Sequence, residues 1–371
     1  MPRATIMTDP VMKLPPRQLR ILKRDHKKSA HAVDLRHVRD SMAGIERIRH
    51  GRNFRYRYKG APVKDEETLA RIKKLAIPPA WTDVWICPHP KGHLQATGKD
   101  ARGRKQYRYH ADWALVRSRT KFHHMLEFGM RIPAIRAQLR NDLATPGLTR
   151  EKVLATVISL MDLTNMRVGN PEYEKENGSY GLSTLKDRHV KGGPGGVRLV
   201  FKGKTGITHN IKIRSRELAR LVMRCKEVPG QELFQYIDED GESRPIDSGM
   251  VNDRIRELSE GEFTSKDLRT WKGTVHCLTA LIANTCPDNA NERKTAINQA
   301  LDETAKLLGN TRAVCRKYYV HPDVISSYEC RKLNEILSGE KKADRILEGE
   351  HTLEERLVLK VLSAARRAAK Q

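Results

Sequence analysis

Apolar positions follow two regimes along this chain. From about Ala111 onward they recur three and four apart, as on one face of a helix; before it they fall in short alternating runs between turns. Within residues 150–168, Val153, Val157, Leu160 and Met161 share one helical face and predict an amphipathic helix turned toward a core, with Gly169 as its breaker. Residues 111–143, 215–228, 270–285 and 291–309 read as helices in the same way. One β interruption is expected among them, where residues 196–204 and 207–213 form β-rich runs joined at Thr205-Gly206. Ahead of the helical part, residues 53–63 alternate aromatic and basic side chains about Lys59-Gly60, a hairpin signal. Residues 66–77 have helical spacing and are halted by Pro78-Pro79.

The expected class is α+β. A small, mainly-β N-terminal domain covers residues 41–114, and a larger, mostly α-helical domain with a β-hairpin or small sheet covers residues 115–335. Residues 1–40 are rich in Lys, Arg and Pro and are expected to form a mobile or loosely docked basic arm. Residues 336–371 are expected to be a charged helical extension.

Charge narrows the class of partner. Seventy Lys and Arg against 45 Asp and Glu give a formal charge of +25. Such a field favours a polyanion, because every phosphate neutralised releases condensed counterions. Double-stranded DNA is the expected partner. No apolar run reaches the roughly 20 residues of a membrane span, and no secretory core opens the chain, so a cytoplasmic, nucleoid-associated protein is expected. The six cysteines are scattered without a Cys-x-x-Cys pair and read as reduced packing residues. Cys87, His89 and His93 lie close together, but Pro88, Pro90 and Gly92 make a turn there and a fourth ligand is missing; no metal site is expected.

Four distant segments each set a polar or basic residue where a helix or hairpin ends. They are Arg167 in Asn-Met-Arg-Val-Gly-Asn, Lys204 at the hairpin tip, Lys266 and Arg269 in Ser-Lys-Asp-Leu-Arg-Thr-Trp, and Asn310 with Tyr319 after Leu308-Gly309. Each has an ordinary explanation alone. An arginine at a helix C-terminus offsets the dipole, a lysine at a turn is solvated, and paired tyrosines usually pack. Together, in this order and with nine positions from Asn310 to Tyr319, they resemble the catalytic domain shared by type IB topoisomerases and tyrosine recombinases. The similarity is closer to the poxvirus-like and bacterial topoisomerase branch and spans roughly residues 45–330. The run Arg104, Lys105, Gln106, Tyr107, Arg108, Tyr109 also resembles that family's DNA-contacting segment.

The resemblance implies a set of roles that physical chemistry supports. Tyr319 would be the nucleophile; a phenol is weakly nucleophilic at neutral pH, its reference pKa being about 10, and clustered cations favour the charged oxygen. Arg167 and Arg269 would clamp the nonbridging oxygens as charge builds on the phosphorane, and Asn310 would add a neutral donor where many relatives carry His. Lys204 would be the general acid for the departing 5′-oxygen, with Lys266 assisting or holding the phosphate. The product would be a 3′-phosphotyrosyl bond that can be resealed without ATP or an obligatory metal; the sequence contains neither a phosphate-binding Gly-Lys loop nor an acidic metal cluster. Arg104, Lys105, Gln106, Tyr107 and Tyr109 would grip DNA, with a monomer clamping the duplex between two domains. Tyr318 is expected to be the packed member of its pair. A site-specific tyrosine recombinase is the alternative, set back by Lys266 and Asn310, which stand where recombinases usually carry His.

Overall fold

The structure is a computed structural model that describes residues 26–31, 33–51, 53–101, 103, 105–113, 122, 124–193, 196–283, 285–337 and 351–368. It is α+β, and its contacts divide it into two compact units that part between His124 and Met125. No helix among the described residues is long and apolar enough to cross a membrane.

The first unit is built on a six-stranded antiparallel sheet. Its strands are β1 (Ile45–His50), β2 (Asn53–Tyr58), β3 (Ala61–Pro62), β4 (Thr82–Ile86), β5 (Leu94–Lys99) and β6 (Lys105–Tyr109), in the order β3-β2-β1-β4-β5-β6. The Lys59-Gly60 turn expected from the sequence joins β2 to β3 with both residues at positive φ, 49° and 81°, as a two-residue hairpin requires. Helices α1 (His26–His31) and α2 (Glu66–Lys74) accompany the sheet. Asp65 caps α2 by accepting from the Thr68 N–H, and Ile72 on its inner face packs with Ile45, Val84, Ile86 and Ala96 of the sheet. From Ala30 on, the segment read as an arm contributes to the core: Ala30 and Leu35 are buried with Trp113, and Val38 with Cys87 and Leu94. The preceding 25 positions lie outside the described residues.

In the second unit two long helices lead, α3 (Met125–Ala144) and α4 (Arg150–Thr164). Val153, Val157, Leu160 and Met161 of α4 are all fully buried, as their spacing predicts. The helix ends earlier than expected, however. Its C-cap is Asn165, left-handed at φ 58°, with its N–H on the Met161 carbonyl; Gly169 lies four residues further on. Asparagine tolerates this conformation better than other side-chain-bearing residues, so the glycine is not needed as a stop. After α5 (Pro171–Asn177) comes a three-stranded sheet of β7 (Val190–Lys191), β8 (Arg198–Lys202) and β9 (Thr208–Lys212). A single 3-10 turn, Lys204–Gly206, joins β8 to β9. Then follow α6 (Arg216–Lys226), the small pair β10 (Gln235–Ile237) and β11 (Ser243–Pro245), α7 (Ser248–Ser259), α8 (Ser265–Ile282) and α9 (Ala290–Leu308). The chain continues through α10 (Arg312–Tyr318), α11 (Pro322–Glu329), α12 (Leu333–Leu337) and α13 (Leu353–Ala368).

Helix α8 is central, touching α3, α4, α9 and α13, and its Trp271 is fully buried. The C-terminal helix α13 is part of this core. Leu357, Val358, Val361 and Leu362 are buried, and Glu355 accepts from Arg136 of α3 and from the Trp271 indole N–H. Four of the six cysteines (Cys87, Cys225, Cys277 and Cys315) are buried, and none is bonded to another among the described residues.

Candidate active site

Two helix ends build the site. The Asn165 carbonyl at the end of α4 and the Leu308 carbonyl at the end of α9 both accept from Arg269, the latter at 2.8 Å. Terminal carbonyls lack partners within their own helix and carry the negative end of its dipole, so one guanidinium satisfies two helices. Arg269 itself sits one turn into α8 and is only 5% exposed. Helix α9 ends where the sequence places it, at Gly309 in the left-handed region with φ 58°. Just beyond, Arg167 donates to the Gly309 carbonyl at 3.2 Å and to Asn310 Oδ1 at 2.7 Å. Among the described residues both arginines are thus held by carbonyl oxygens and not by carboxylates.

That choice of partner has an electrostatic consequence. Burial pulls both guanidinium pKa values below the ordinary arginine value, and for Arg269 the neighbouring Arg167 charge adds to the effect. Guanidinium groups stay charged at neutral pH even so. The result is two partly desolvated cations, close together and unneutralised by any described residue, with donors to spare: Arg269 Nε has no partner among the described residues. Asn310 Nδ2 is likewise buried and without a partner among the described residues, while its Oδ1 is occupied by Arg167. An orphaned buried donor costs about 1–3 kcal/mol, a debt that an incoming anion would relieve.

Tyr319 lies against this cluster. It is the C-cap of α10, one residue past the helix rather than inside it, with φ −133° and its N–H on the Cys315 carbonyl. Its half-buried ring packs on Ala305, Leu308 and Cys315, and the Arg269 guanidinium carbon is 5.5 Å from the ring centre. Arg269 also donates a hydrogen bond to the Tyr319 hydroxyl. The backbone is fixed from behind by α8. A β-carbon at Gly273 would stand 2.7 Å from the Tyr319 carbonyl oxygen, and the Thr274 hydroxyl donates to that oxygen at 3.4 Å. The expectation for the neighbouring tyrosine is overturned: Tyr318 is 41% exposed, its ring beside the Lys317 ammonium, whereas Tyr319 is the packed one. Successive residues at a helix end point about 100° apart, so only one of the pair can face α9.

Lys204 stands at the hairpin tip as expected, exposed, and lines a cleft with Arg167, Arg269, His209 and Thr164. Lys266 is exposed on the first turn of α8, and among the described residues its ammonium makes no hydrogen bond to the cluster. In the first unit, Tyr107 and Tyr109 project from the edge strand β6, each 47% exposed and stacked on each other at 6.0 Å. Lys105 is paired with Asp40 at 2.6 Å, and Gln106 donates to Asp100 at 2.9 Å. Arg104 lies outside the described residues.

Three contributors escaped the sequence reading. Asn165 supplies a carbonyl to Arg269, Gly273-Thr274 seats the Tyr319 backbone, and His209 lines the cleft. A glycine in mid-helix is a usable sign of close approach; the other two left no sign that local pattern could reveal.

A half-buried tyrosine under two unneutralised arginines, with a lysine-tipped hairpin at the cleft, is the equipment of a protein that handles phosphodiesters. Comparison with known proteins agrees. The family model described as the catalytic core of eukaryotic DNA topoisomerase I matches residues 105–346, and that of the N-terminal domain of bacterial DNA topoisomerase IB matches residues 53–100. The chain is 36% identical over 312 residues to DNA topoisomerase 1B of Acanthamoeba polyphaga mimivirus, covering 80% of this chain and 90% of the relative. It is 21% identical over 287 residues to DNA topoisomerase 1B of Vaccinia virus (strain Copenhagen), covering 75% and 87%, and 25% identical over 275 residues to DNA topoisomerase 1 of rabbit fibroma virus, covering 70% and 81%. The chain belongs to the type IB DNA topoisomerase family.

Proposed function

We propose that this chain relaxes supercoiled duplex DNA by transesterification at Tyr319. The observation that carries the reading is the convergence of Arg167, Arg269 and Asn310 on one tyrosine. The Tyr319 oxygen bonds to phosphorus as the bond from phosphorus to the 5′-oxygen breaks. The phenolic proton passes to solvent, and the 5′-oxygen takes a proton from Lys204. Arg167, the spare N–H of Arg269 and the orphaned amide of Asn310 receive the nonbridging oxygens as their charge grows. One phosphoester replaces another, so the reverse attack by the free 5′-hydroxyl reseals the strand after it has swivelled, with no need of ATP or an obligatory metal.

The stacked, exposed Tyr107 and Tyr109 are placed to meet sugars or base edges, and Lys105 and Gln106 would exchange their carboxylate partners for DNA. Arg104 joins them in this reading, and Lys266 steers or holds the phosphate. The working form is a monomer. Free thiols and the match to a bacterial N-terminal domain support a reducing, nucleoid-bearing compartment, the bacterial cytoplasm.

Relaxation of a supercoiled plasmid with EDTA and without ATP tests the whole. It should proceed on plasmids that carry no recombination site; a demand for metal, nucleotide or such a site overturns the reading. A second experiment isolates Lys204. Lys204→Ala should slow cleavage of an ordinary strand on the order of 10²-fold. It should cleave at near the wild-type rate when the 5′-bridging oxygen is replaced by sulfur, which departs without a proton. Equal slowing on both substrates would remove Lys204 from the acid role.

A further inference from the structure

The hairpin that carries Lys204 needs something to hold its tip in register with the arginines, and one side chain spans the gap. His209 on β9 is the direct cross-strand partner of Phe201 on β8, and the two rings stack at 5.1 Å with 23° between their planes. The imidazole reaches past Phe201 toward the tip. A β-carbon added at Gly203 would stand 2.4 Å from Cδ2 and Nε2 of His209. The Nε2 end of the ring also lies near the end of α9. A β-carbon built at Gly309 would be 3.5 Å from Cε1 of His209 and 3.8 Å from Nη1 of Arg167. The ring therefore lies close against Gly203, the residue before Lys204, and within a methyl's reach of Gly309, the residue before Asn310. No hydrogen bond to its nitrogens is made by the described residues.

We propose that His209 is a positioning residue for the strand-transfer reaction, a strut that fixes the Lys204 tip against Arg167 and Asn310 so that the lysine meets the leaving oxygen. The inference rests on the role given to Lys204 above. The ring's charge state suits the place. Burial, with Arg167 and Arg269 adding to it, holds the imidazole pKa below its ordinary value, so the strut is neutral and adds no third cation to the pair. Gly203 gains a reason as well. Its backbone, at φ −88° and ψ −171°, is open to any residue; what excludes a side chain there is the His209 ring.

The leaving-group comparison separates this role from general packing. His209→Ala should slow single-turnover cleavage of the ordinary strand on the order of 10–100-fold, the scale of an ångström's misplacement of a reacting group. With the 5′-bridging sulfur it should cleave within about threefold of wild type. Gly203→Ala, which pushes the ring aside without straining the backbone, should give the same selective defect. It should add nothing in the His209→Ala background, since the clash is then gone. Lys204→Ala is run beside them. If it is rescued by sulfur while His209→Ala and Gly203→Ala are slowed equally on both substrates, the strut is overturned and the acid stands. If Lys204→Ala is itself not rescued, the acid role falls and takes the inference with it. Should His209→Ala fail to fold, Gly203→Ala alone decides: selective slowing supports the strut, and wild-type rates or equal slowing on both substrates overturn it.

Discussion

Tyr319→Phe is expected to abolish the covalent protein–DNA adduct and to lower plasmid relaxation by at least about 10⁴-fold, because no other group can supply the bonding oxygen. The fold should survive. Phenylalanine keeps the ring contacts with Ala305, Leu308 and Cys315 and the cation above the ring, and loses the hydroxyl's bond with Arg269. One such bond is worth about 1 kcal/mol, so the unfolding temperature should move by only a few degrees. Tyr318→Phe is the matched control. That ring is exposed and outside the cluster, so relaxation should stay within about twofold of wild type. Denaturing electrophoresis of protein linked to end-labelled DNA reads both. An adduct in Tyr319→Phe, or its loss in Tyr318→Phe, would move the nucleophile elsewhere.

The two tyrosines also mark the border of what a sequence can disclose here. Spacing from Asn310 singled out Tyr319 as the candidate nucleophile, and it is the member beside Arg269, yet the same reading had Tyr318 packed, which is wrong. Count along a chain locates a residue on a helix; which face looks inward depends on the neighbour, here α9, that arrives from elsewhere. The same division runs through the rest. Val153, Val157, Leu160 and Met161 announced the buried face of α4, and Leu308-Gly309 the end of α9, since periodicity and left-handed caps are local. The attachment of Arg269 to two helix ends is not local, because Asn165 and Leu308 lie 104 and 39 positions away from it. Nor is the stacking of His209 on Phe201, which needs the hairpin register. Local pattern therefore located helices, caps and turns, the family resemblance singled out candidate groups for chemistry, and neither disclosed the groups that hold them in place.

The C-terminal helix is the largest such omission, and it yields the strongest expected effect on stability. Its Glu355, 1% exposed, makes two 2.8 Å bonds with Arg136, accepts from the Trp271 indole at 3.1 Å, and caps its own helix through the Thr352 N–H at 3.0 Å. Arg136 is shared with Asp162 of α4, which also meets Lys272 of α8, so one polar network ties α3, α4, α8 and α13. Removing Glu355 takes one of two carboxylates from the buried Arg136, which then shares Asp162 with Lys272, and strands the buried Trp271 indole N–H. Glu355→Ala should therefore cost about 3–5 kcal/mol. For a unit of this size that is a fall of roughly 6–15 °C in unfolding temperature, readable by calorimetry. Burial alone would raise the Glu355 pKa, but the Arg136 hydrogen bond and charge outweigh it and the net shift is downward, as it is for Asp162. A carboxylate with a depressed folded pKa contributes stability above its unfolded pKa and loses it as pH falls through the folded one. The wild type should thus lose stability below the ordinary carboxylate range, and Glu355→Ala should show a flatter decline because one of the two linked groups is gone. Replacing the pair together, Arg136→Met with Glu355→Leu, should recover part of the loss, since neither charge is then stranded on the other's account. An unfolding temperature for Glu355→Ala within a degree of wild type would mean that α13 is an appendage after all; the expected fall would make it a structural wall behind the helix that carries Arg269.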